Sequence, residues 1–319
     1  MNTKVLEGFG ILVTGGGTGI GKACAADAFS QGANVTICGR TEERLTKSVE
    51  SIRDEYQEAG KIQHLICDVT NEDQVYETIQ KAHEFGGGLD GVVANAGGGG
   101  AILPYHMQTV EEFSRVLYLN VIGTMLCIKH AVPLLRLSDK ASFVGMSSIA
   151  SHLTHLWFGA YPAAKAGIDA IIRNAADEFG PANIRFNAIR PGFIATEIME
   201  GVPRDSEIFN SYIENTPLGH IGQPTDVATL ARFLLSVDSR WITGQCINVD
   251  GGHSLRRGPQ FTQFLRSFTD EEPANTPLRL RHTLHADPEH YTNETGKALF
   301  LIELFNASAP VGMAGENGD

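Results

Sequence analysis

The feature that most limits the fold is a glycine-rich junction near the N-terminus. An apolar, strand-like run from Phe9 to Val13 leads into Thr14-Gly15-Gly16-Gly17-Thr18-Gly19-Ile20-Gly21, and helical patterning begins near Lys22. A turn of this kind lets backbone approach a pyrophosphate closely, with free N–H groups and the positive end of a helix dipole facing the anion. Its spacing is GxxxGxG rather than the GxGxxG fingerprint, so the usual dinucleotide motif is not matched; a flexible loop is the alternative. Through the first 250 residues, short apolar runs alternate with longer helical patterns, which predicts a parallel sheet covered by helices on both faces. Strands are expected near Phe9–Val13, Asn34–Cys38, Ile62–Cys67, Gly91–Ala94, Ser142–Met146, Ile184–Ile189 and Cys246–Val249. Thr70-Asn-Glu-Asp73 and Thr109-Val-Glu-Glu112 have the capping-box pattern and are expected to start helices. There is no internal repeat.

A second stretch carries chemistry. Tyr161-Pro-Ala-Ala-Lys165 opens an apolar-periodic run, Ala163 to Phe179, expected to be helical. Residues four apart share a helix face, so the phenol and the ammonium would stand side by side. A phenol with pKa near 10 needs a shift of about three units, roughly 4 kcal/mol, to exchange protons at neutral pH. One cation at ~4 Å in an effective dielectric of ~20 supplies about that much. Tyr-x-x-x-Lys is also a common surface pair, and by itself it is weak.

Together the motifs resemble the short-chain dehydrogenase/reductase family. Thr14 to Gly21 matches that family's TGxxxGxG, Ala94-Asn95-Ala96-Gly97 its NNAG with Ala94 in place of the first Asn, Tyr161/Lys165 its YxxxK, and Pro191-Gly192 the motif after the next strand. The resemblance covers about Glu7 to His253. It implies a Rossmann-type, doubly wound, seven-stranded parallel sheet in an α/β domain over residues 1–253, leaving 254–319 as an extension that the family's short form lacks. By residue-by-residue match it implies a catalytic set of Asn120, Ser148, Tyr161 and Lys165. Ser148 is preferred to Ser147 because the family's serine stands thirteen residues before the tyrosine. Asn120 would hold a water that links the lysine to solvent. The nucleotide would lie along Thr14, Gly15, Gly17, Thr18, Gly19, Ile20 and Gly21, then Arg40, Asp68, Val69, Asn95, Ala96 and Gly97. Tyr161, Lys165, Pro191, Gly192, Ile194 and Thr196 would meet its nicotinamide end.

The second expected strand ends in Ile37-Cys38-Gly39-Arg40. An acidic residue there would bind a ribose 2′-hydroxyl, whereas an arginine accommodates a 2′-phosphate. Gly39 fills the acidic slot and Arg40 follows, which favours NADP(H) over NAD(H); a solvated turn arginine is the bland alternative. Asp68 is as well suited to a helix cap as to an adenine contact. Gly97 to Gly100 predicts a mobile loop beside the cleft. His152, His155, Trp157 and Phe158 are candidates to line it, His155 being a conceivable general base though more readily a packed histidine. Glu197 to Gln223 mixes apolar and aromatic residues and matches the family's substrate lid, which suggests a lipophilic substrate.

The net charge of −12 and pI of 5.4 oppose a nucleic-acid or anionic-membrane partner. Cys24, Cys38, Cys67, Cys127 and Cys246 are odd in number and widely spaced, and are expected to be buried free thiols with no metal cluster. No leader or membrane span is indicated, so a cytoplasmic protein is expected. In the extension, Phe261, Phe264, Leu265 and Phe268 have helical spacing, Lys297 to Phe305 forms a second apolar cluster, and Gly312 to Asp319 has a disordered composition. Three activities follow. The first is NADP(H)-dependent interconversion of a carbonyl and a secondary alcohol by a dimer or tetramer. The second is 2,4-dienoyl-CoA or enoyl-CoA reduction, suggested by Gly15 to Gly19, Arg40 and the extension but opposed by Tyr161, which that branch generally lacks. The third is cofactor sensing without turnover.

Overall fold

The computed structural model describes residues 4–57, 60–197 and 203–256. The expected apolar clusters of the C-terminal extension, and Ile198, Met199 and Val202 of the expected lid, lie outside the described residues. Seven parallel strands form one sheet in the order β3-β2-β1-β4-β5-β6-β7. They are β1 (Gly10–Thr14), β2 (Asn34–Gly39), β3 (Ile62–Ile66), β4 (Gly91–Ala94), β5 (Ser142–Met146), β6 (Arg185–Pro191) and β7 (Cys246–Val249). The chain builds outward from β1 to β3, then returns to place β4 on the other side of β1. That reversal leaves a crevice beyond the C-terminal ends of β1 and β4, where open α/β sheets bind ligands.

Strands β1, β4 and β5 are buried along their whole length, as central parallel strands covered on both faces must be. Alternate residues feed different layers. Ile11 and Val13 pack with Leu45, Val49, Ala228 and Leu234, on the face covered by α1 (Gly19–Ser30), α2 (Glu42–Glu55) and α8 (Pro224–Leu235). Leu12 packs with Ile79, Leu126, Ile168 and Ile172, on the face covered by α3 (Glu72–Gly86), α5 (Gly123–Leu135) and α6 (Ala160–Phe179). Within that second layer Phe143 and Phe186 stack with ring centroids 5.2 Å apart.

Several boundaries differ from expectation for local reasons. The helix expected from Thr70 is capped by Asn71, whose side chain accepts from Gln74 N, because Asp68 Oδ1 already accepts from the Thr70 N–H and hydroxyl at 2.9 and 2.8 Å. Helix α6 starts at Ala160 rather than Ala163, since proline is tolerated in a first turn. The helix capped by Thr109 is not continuous. It runs as α4 (Val110–Leu117), opens into a π-helical turn (Tyr118–Ile122) and resumes as α5. Asn120 accounts for the opening: its Nδ2 donates to Val116 O at 2.8 Å, the carbonyl its own N–H would meet in an α-helix. By length and composition Val110–Leu135 would pass for a membrane-crossing helix, but it packs as a layer of this fold against α3 and α6. Four cysteines are buried free thiols as expected, and Cys246 is only half-buried.

Candidate active site

The glycine-rich turn is built by close approach. Gly15 and Gly19 have φ of 68° and 52°, and a Cβ on Gly21 would fall 2.2 Å from Gly15 O. Gly15 N and Gly16 N are consumed by Cys38 O. The N–H groups of Gly17, Thr18 and Ile20 have no partner among the described residues, and the Thr18 side chain makes no cap bond. These donors at the mouth of α1 fit the phosphates of a dinucleotide. Glu197 Oε1 reaches Gly19 N at 3.4 Å, and the neighbouring Thr196 methyl lies 3.1 Å from where a Gly19 Cβ would stand.

Two expected nucleotide residues make structural bonds at the crevice. Thr14 Oγ1 accepts from the N–H groups of Asn95 and Ala96 at 3.0 and 2.9 Å, and Asn95 Nδ2 donates to Thr14 O and Gly15 O. Their side chains stitch the ends of β1 and β4 together at the crevice. Gly192, after β6, donates to Val249 O, and a Cβ there would meet Asp250 at 2.8 Å; Ile194 is buried in the layer below.

At the far end of the crevice, an open cavity of about 420 Å³ is lined by Arg40, Asp68, Thr70, Ser114, Arg115, Tyr118 and Leu119. Arg40 is exposed at the end of β2. Asp68 belongs to this cavity and also braces the turn before α3, while Val69 packs behind it, its Cγ2 lying 3.0 Å from a Cβ placed on Gly123. Sequence analysis missed Arg115 and Tyr118. The available signal was an exposed aromatic and a cation on the helix that leads into Asn120. A larger cavity, about 970 Å³, runs between α1, α8 and the segment after β6. Gly19 and Thr196 border it, but none of the catalytic candidates does.

Ser148, Tyr161 and Lys165 come together where β5 ends and α6 begins. The Ser148 hydroxyl lies near enough to the Tyr161 phenol to favour its ionised form and accepts from Ala150 N at 3.1 Å, whereas Ser147 Oγ is turned to Lys165 O at 3.1 Å. Burial pushes the Tyr161 phenol above its ordinary pKa, and the Ser148 hydroxyl partly offsets this. Lys165 Nζ lies 5.5 Å from the tyrosine ring centre and donates to Met146 O at 2.8 Å. Burial pulls its pKa from 10.5 to about 8, and Asp169 holds it up. Burial therefore sets the direction of the phenol's shift in this arrangement, against the lowering expected from an adjacent lysine. A buried ammonium must find an acceptor, and here it finds a carbonyl.

Asn120, fully buried, also holds Gly98: its Nδ2 donates to Gly98 O at 2.9 Å and its Oδ1 accepts from Gly98 N at 3.3 Å. A Cβ on Gly97 would stand 2.6 Å from Asn120 Oδ1 and 3.4 Å from Lys165 Nζ. The loop expected to be mobile is thus tied down. Glu112 accepts from Ala101 N, and Gln108 donates to Ala101 O and Leu103 O. Leu103 N donates to Trp157 O at 2.7 Å and Tyr105 Oη to Gly159 O at 3.2 Å, which joins the loop after β4 to the loop after β5. Trp157 has φ of 73°, an uncommon conformation for a bulky residue.

Aromatic rings continue from the tyrosine. Phe158 lies 6.0 Å from Tyr161 and 5.4 Å from His155. His155 Nδ1 bonds Leu153 O at 3.0 Å, and burial lowers its pKa. These are the properties of a packed neutral histidine. On the other side α7 (Glu207–Asn215) contributes Tyr212, stacked on Phe193 at 4.0 Å and edge-on to His253 at 5.6 Å. Burial, followed by the Tyr161 charge, raises the Tyr212 pKa.

The family model described as "Enoyl-(Acyl carrier protein) reductase" matches residues 15–254. A tropinone reductase homolog of Arabidopsis thaliana is 33% identical over 251 residues, covering 78% of this chain and 94% of the relative. A 2,5-dichloro-2,5-cyclohexadiene-1,4-diol dehydrogenase of Sphingobium indicum is 32% identical over 249 residues, 77% of this chain and 97% of the relative. Among solved structures, a short-chain type dehydrogenase/reductase from Mycobacterium ulcerans is 42% identical with a TM-score of 0.79, covering 81% of this chain and 94% of that one. With the parallel sheet, the phosphate cradle and the Ser148–Tyr161 pair, these matches place the chain in the short-chain dehydrogenase/reductase family of oxidoreductases.

Proposed function

We propose that the protein interconverts a carbonyl and a secondary alcohol with NADP(H), Tyr161 exchanging the proton with the substrate oxygen. The observation that carries this is the gathering of Ser148, Tyr161 and a buried lysine, whose Nζ lies 5.5 Å from the tyrosine ring centre, where β5 ends and α6 begins. Bound in the crevice, a nicotinamide would supply or accept the hydride. The phenol, held protonated by burial, is set to donate to the oxygen of a carbonyl. Ser148 donates a second hydrogen bond to that oxygen as charge develops, and Lys165 adds positive potential and a hydroxyl-binding amine. Gly17, Thr18 and Ile20 N–H groups hold the phosphates, and Arg40 takes the 2′-phosphate. The exposed apolar side chains of Ile102 and Tyr105 after β4, Leu156 after β5 and Leu218 after α7 support a lipophilic substrate. Val110, Tyr118 and Met125, exposed along α4, the π turn and α5, support self-association as a dimer or tetramer. The test is NADPH oxidation with a panel of ketones: Tyr161→Phe loses about 10³-fold in turnover with NADPH binding retained. Unchanged turnover refutes the assignment.

The description of the matching family model favours one other reading, reduction of an enoyl or dienoyl thioester. NADPH oxidation with a dienoyl-CoA and none with ketones would select it.

A further inference from the structure

Tyr161, Lys165 and Asp169 are spaced by four on α6, so they form one stripe. The first two belong to the proposed chemistry; the third is unused by it. Asp169 is 3% exposed. Its Oδ2 accepts from Arg190 Nε at 2.9 Å and Nη2 at 2.7 Å. Arg190 sits in β6 immediately before Pro191 and Gly192, so this pair ties the helix that carries Tyr161 to the strand end where the nicotinamide is proposed to lie. The second oxygen, Oδ1, is buried without a hydrogen-bond partner. A buried ion pair with one oxygen left over is a poor stabilising device, since apolar residues of the same volume often do better.

What lies one turn up the stripe explains its presence. Lys165 is 5% exposed and takes part in no ion pair among the described residues. An ammonium so placed keeps its proton at neutral pH only if an anion is near. We propose that Asp169, fixed by Arg190, is a positioning residue whose negative charge keeps Lys165 an ammonium beside Tyr161. The role rests on the reading of Tyr161 and Lys165 given above.

The surrounding charges agree with it. Burial lowers the Lys165 pKa to about 8, and Asp169 is the group that opposes this. Arg190 from β6 and Arg173 from α6 act with Asp169 on Cys246, and His152, in the loop after β5, feels Arg190, Asp169 and Asp250 together. Asp169 thus stands between one cation it grips and another it faces.

The test reads the lysine directly. In protein carrying ¹³Cε-lysine, the resonance lost in Lys165→Arg identifies Lys165, and its titration gives the midpoint. In Asp169→Asn the midpoint falls by about one pH unit, the order of effect expected when one charge a helical turn away is lost from a partly polar interior. If removing the carboxylate strands the Arg190 charge and the single variant fails to fold, Asp169→Asn/Arg190→Gln keeps both shapes; because it also removes a cation, its midpoint is read against that of Arg190→Gln alone, and a fall of about one pH unit between those two carries the proposal. An unchanged midpoint overturns the proposal, as does a wild-type midpoint near 10.5. Turnover adds a second arm: ketone reduction by Asp169→Asn stays within about threefold of wild type at pH 6 but loses its alkaline limb about one pH unit earlier. A uniform loss at every pH assigns Asp169 a merely structural role. A wild type without turnover counts against the reading of Tyr161, while the lysine titration still decides for or against Asp169.

Discussion

Lys165 is held at a cost that can be measured. Its pKa is drawn from 10.5 down to about 8 by burial, a gap of about 2.5 units that corresponds to about 3 kcal/mol. At pH 7 both the folded and the unfolded chain carry the proton, so the folded state bears that whole penalty. Between pH 8 and 10.5 the unfolded chain binds the proton more tightly, and stability rises with pH. Lys165→Met keeps the stem and removes the charge. It also loses the bond to Met146 O, worth about 1 kcal/mol. The variant should therefore be about 2 kcal/mol more stable than wild type at pH 7, with a melting temperature about 5 °C higher. By pH 9.5 the wild type recovers about 2 kcal/mol and the difference closes. Urea unfolding at both pH values, with midpoints and slopes fitted together, measures this. A variant less stable at pH 7, or a difference that stays constant between the two pH values, would refute the reasoning. Turnover should be lost in the same variant, a trade of activity for stability seen at strained sites.

Other expectations follow from single positions. Gly21→Ala places a methyl 2.2 Å from Gly15 O, which forces the turn open; NADPH binding, followed by fluorescence, should weaken at least about tenfold. Arg185 is buried, donates to Leu234, Leu235, Ser236 and Ser239 carbonyls, and has its pKa lowered to about 10 by burial. Arg185→Met strands carbonyls at the end of α8 and should cost about 3 kcal/mol in urea unfolding. Arg40→Asp should turn a preference for NADPH into one for NADH in paired titrations.

The sheet was legible because its chemistry is coarse. Strands β4, β5 and β7 lie where their apolar runs place them, β2 and β3 differ by one residue at one end, and β1 and β6 are shifted by one or two residues at both ends. Ser148 stands at the end of β5 and Tyr161 in the first turn of α6, the two element ends where the motif spacing put them. What the sequence hid were choices among hydrogen-bond partners. Thr70 and Asn71 both suit a cap, and Asp68 decides between them by engaging Thr70. Asn120 could sit in any helix, and only its bond to Val116 O opens the π turn. Four glycines in a row favour a loose loop, yet Asn120, Glu112 and Gln108 are placed to hold that loop. Lys165 shares a face with Tyr161 as the periodicity requires, but its amine turns to Met146 O because spacing fixes the face and not the rotamer.

The two bonds that join the loops after β4 and β5, Leu103 to Trp157 and Tyr105 to Gly159, have a consequence for redesign. Two independent walls could be lengthened or shortened one at a time to admit new substrates. Here they are a single frame: a Cβ on Gly159 would strike Gln108 at 2.4 Å, and Gln108 itself braces Ala101 and Leu103. An insertion in either loop would disturb the geometry of both and the start of α6 with them. Substrate range is better altered by exchanging side chains that project from the frame, Ile102 and Leu156, while its backbone is left intact.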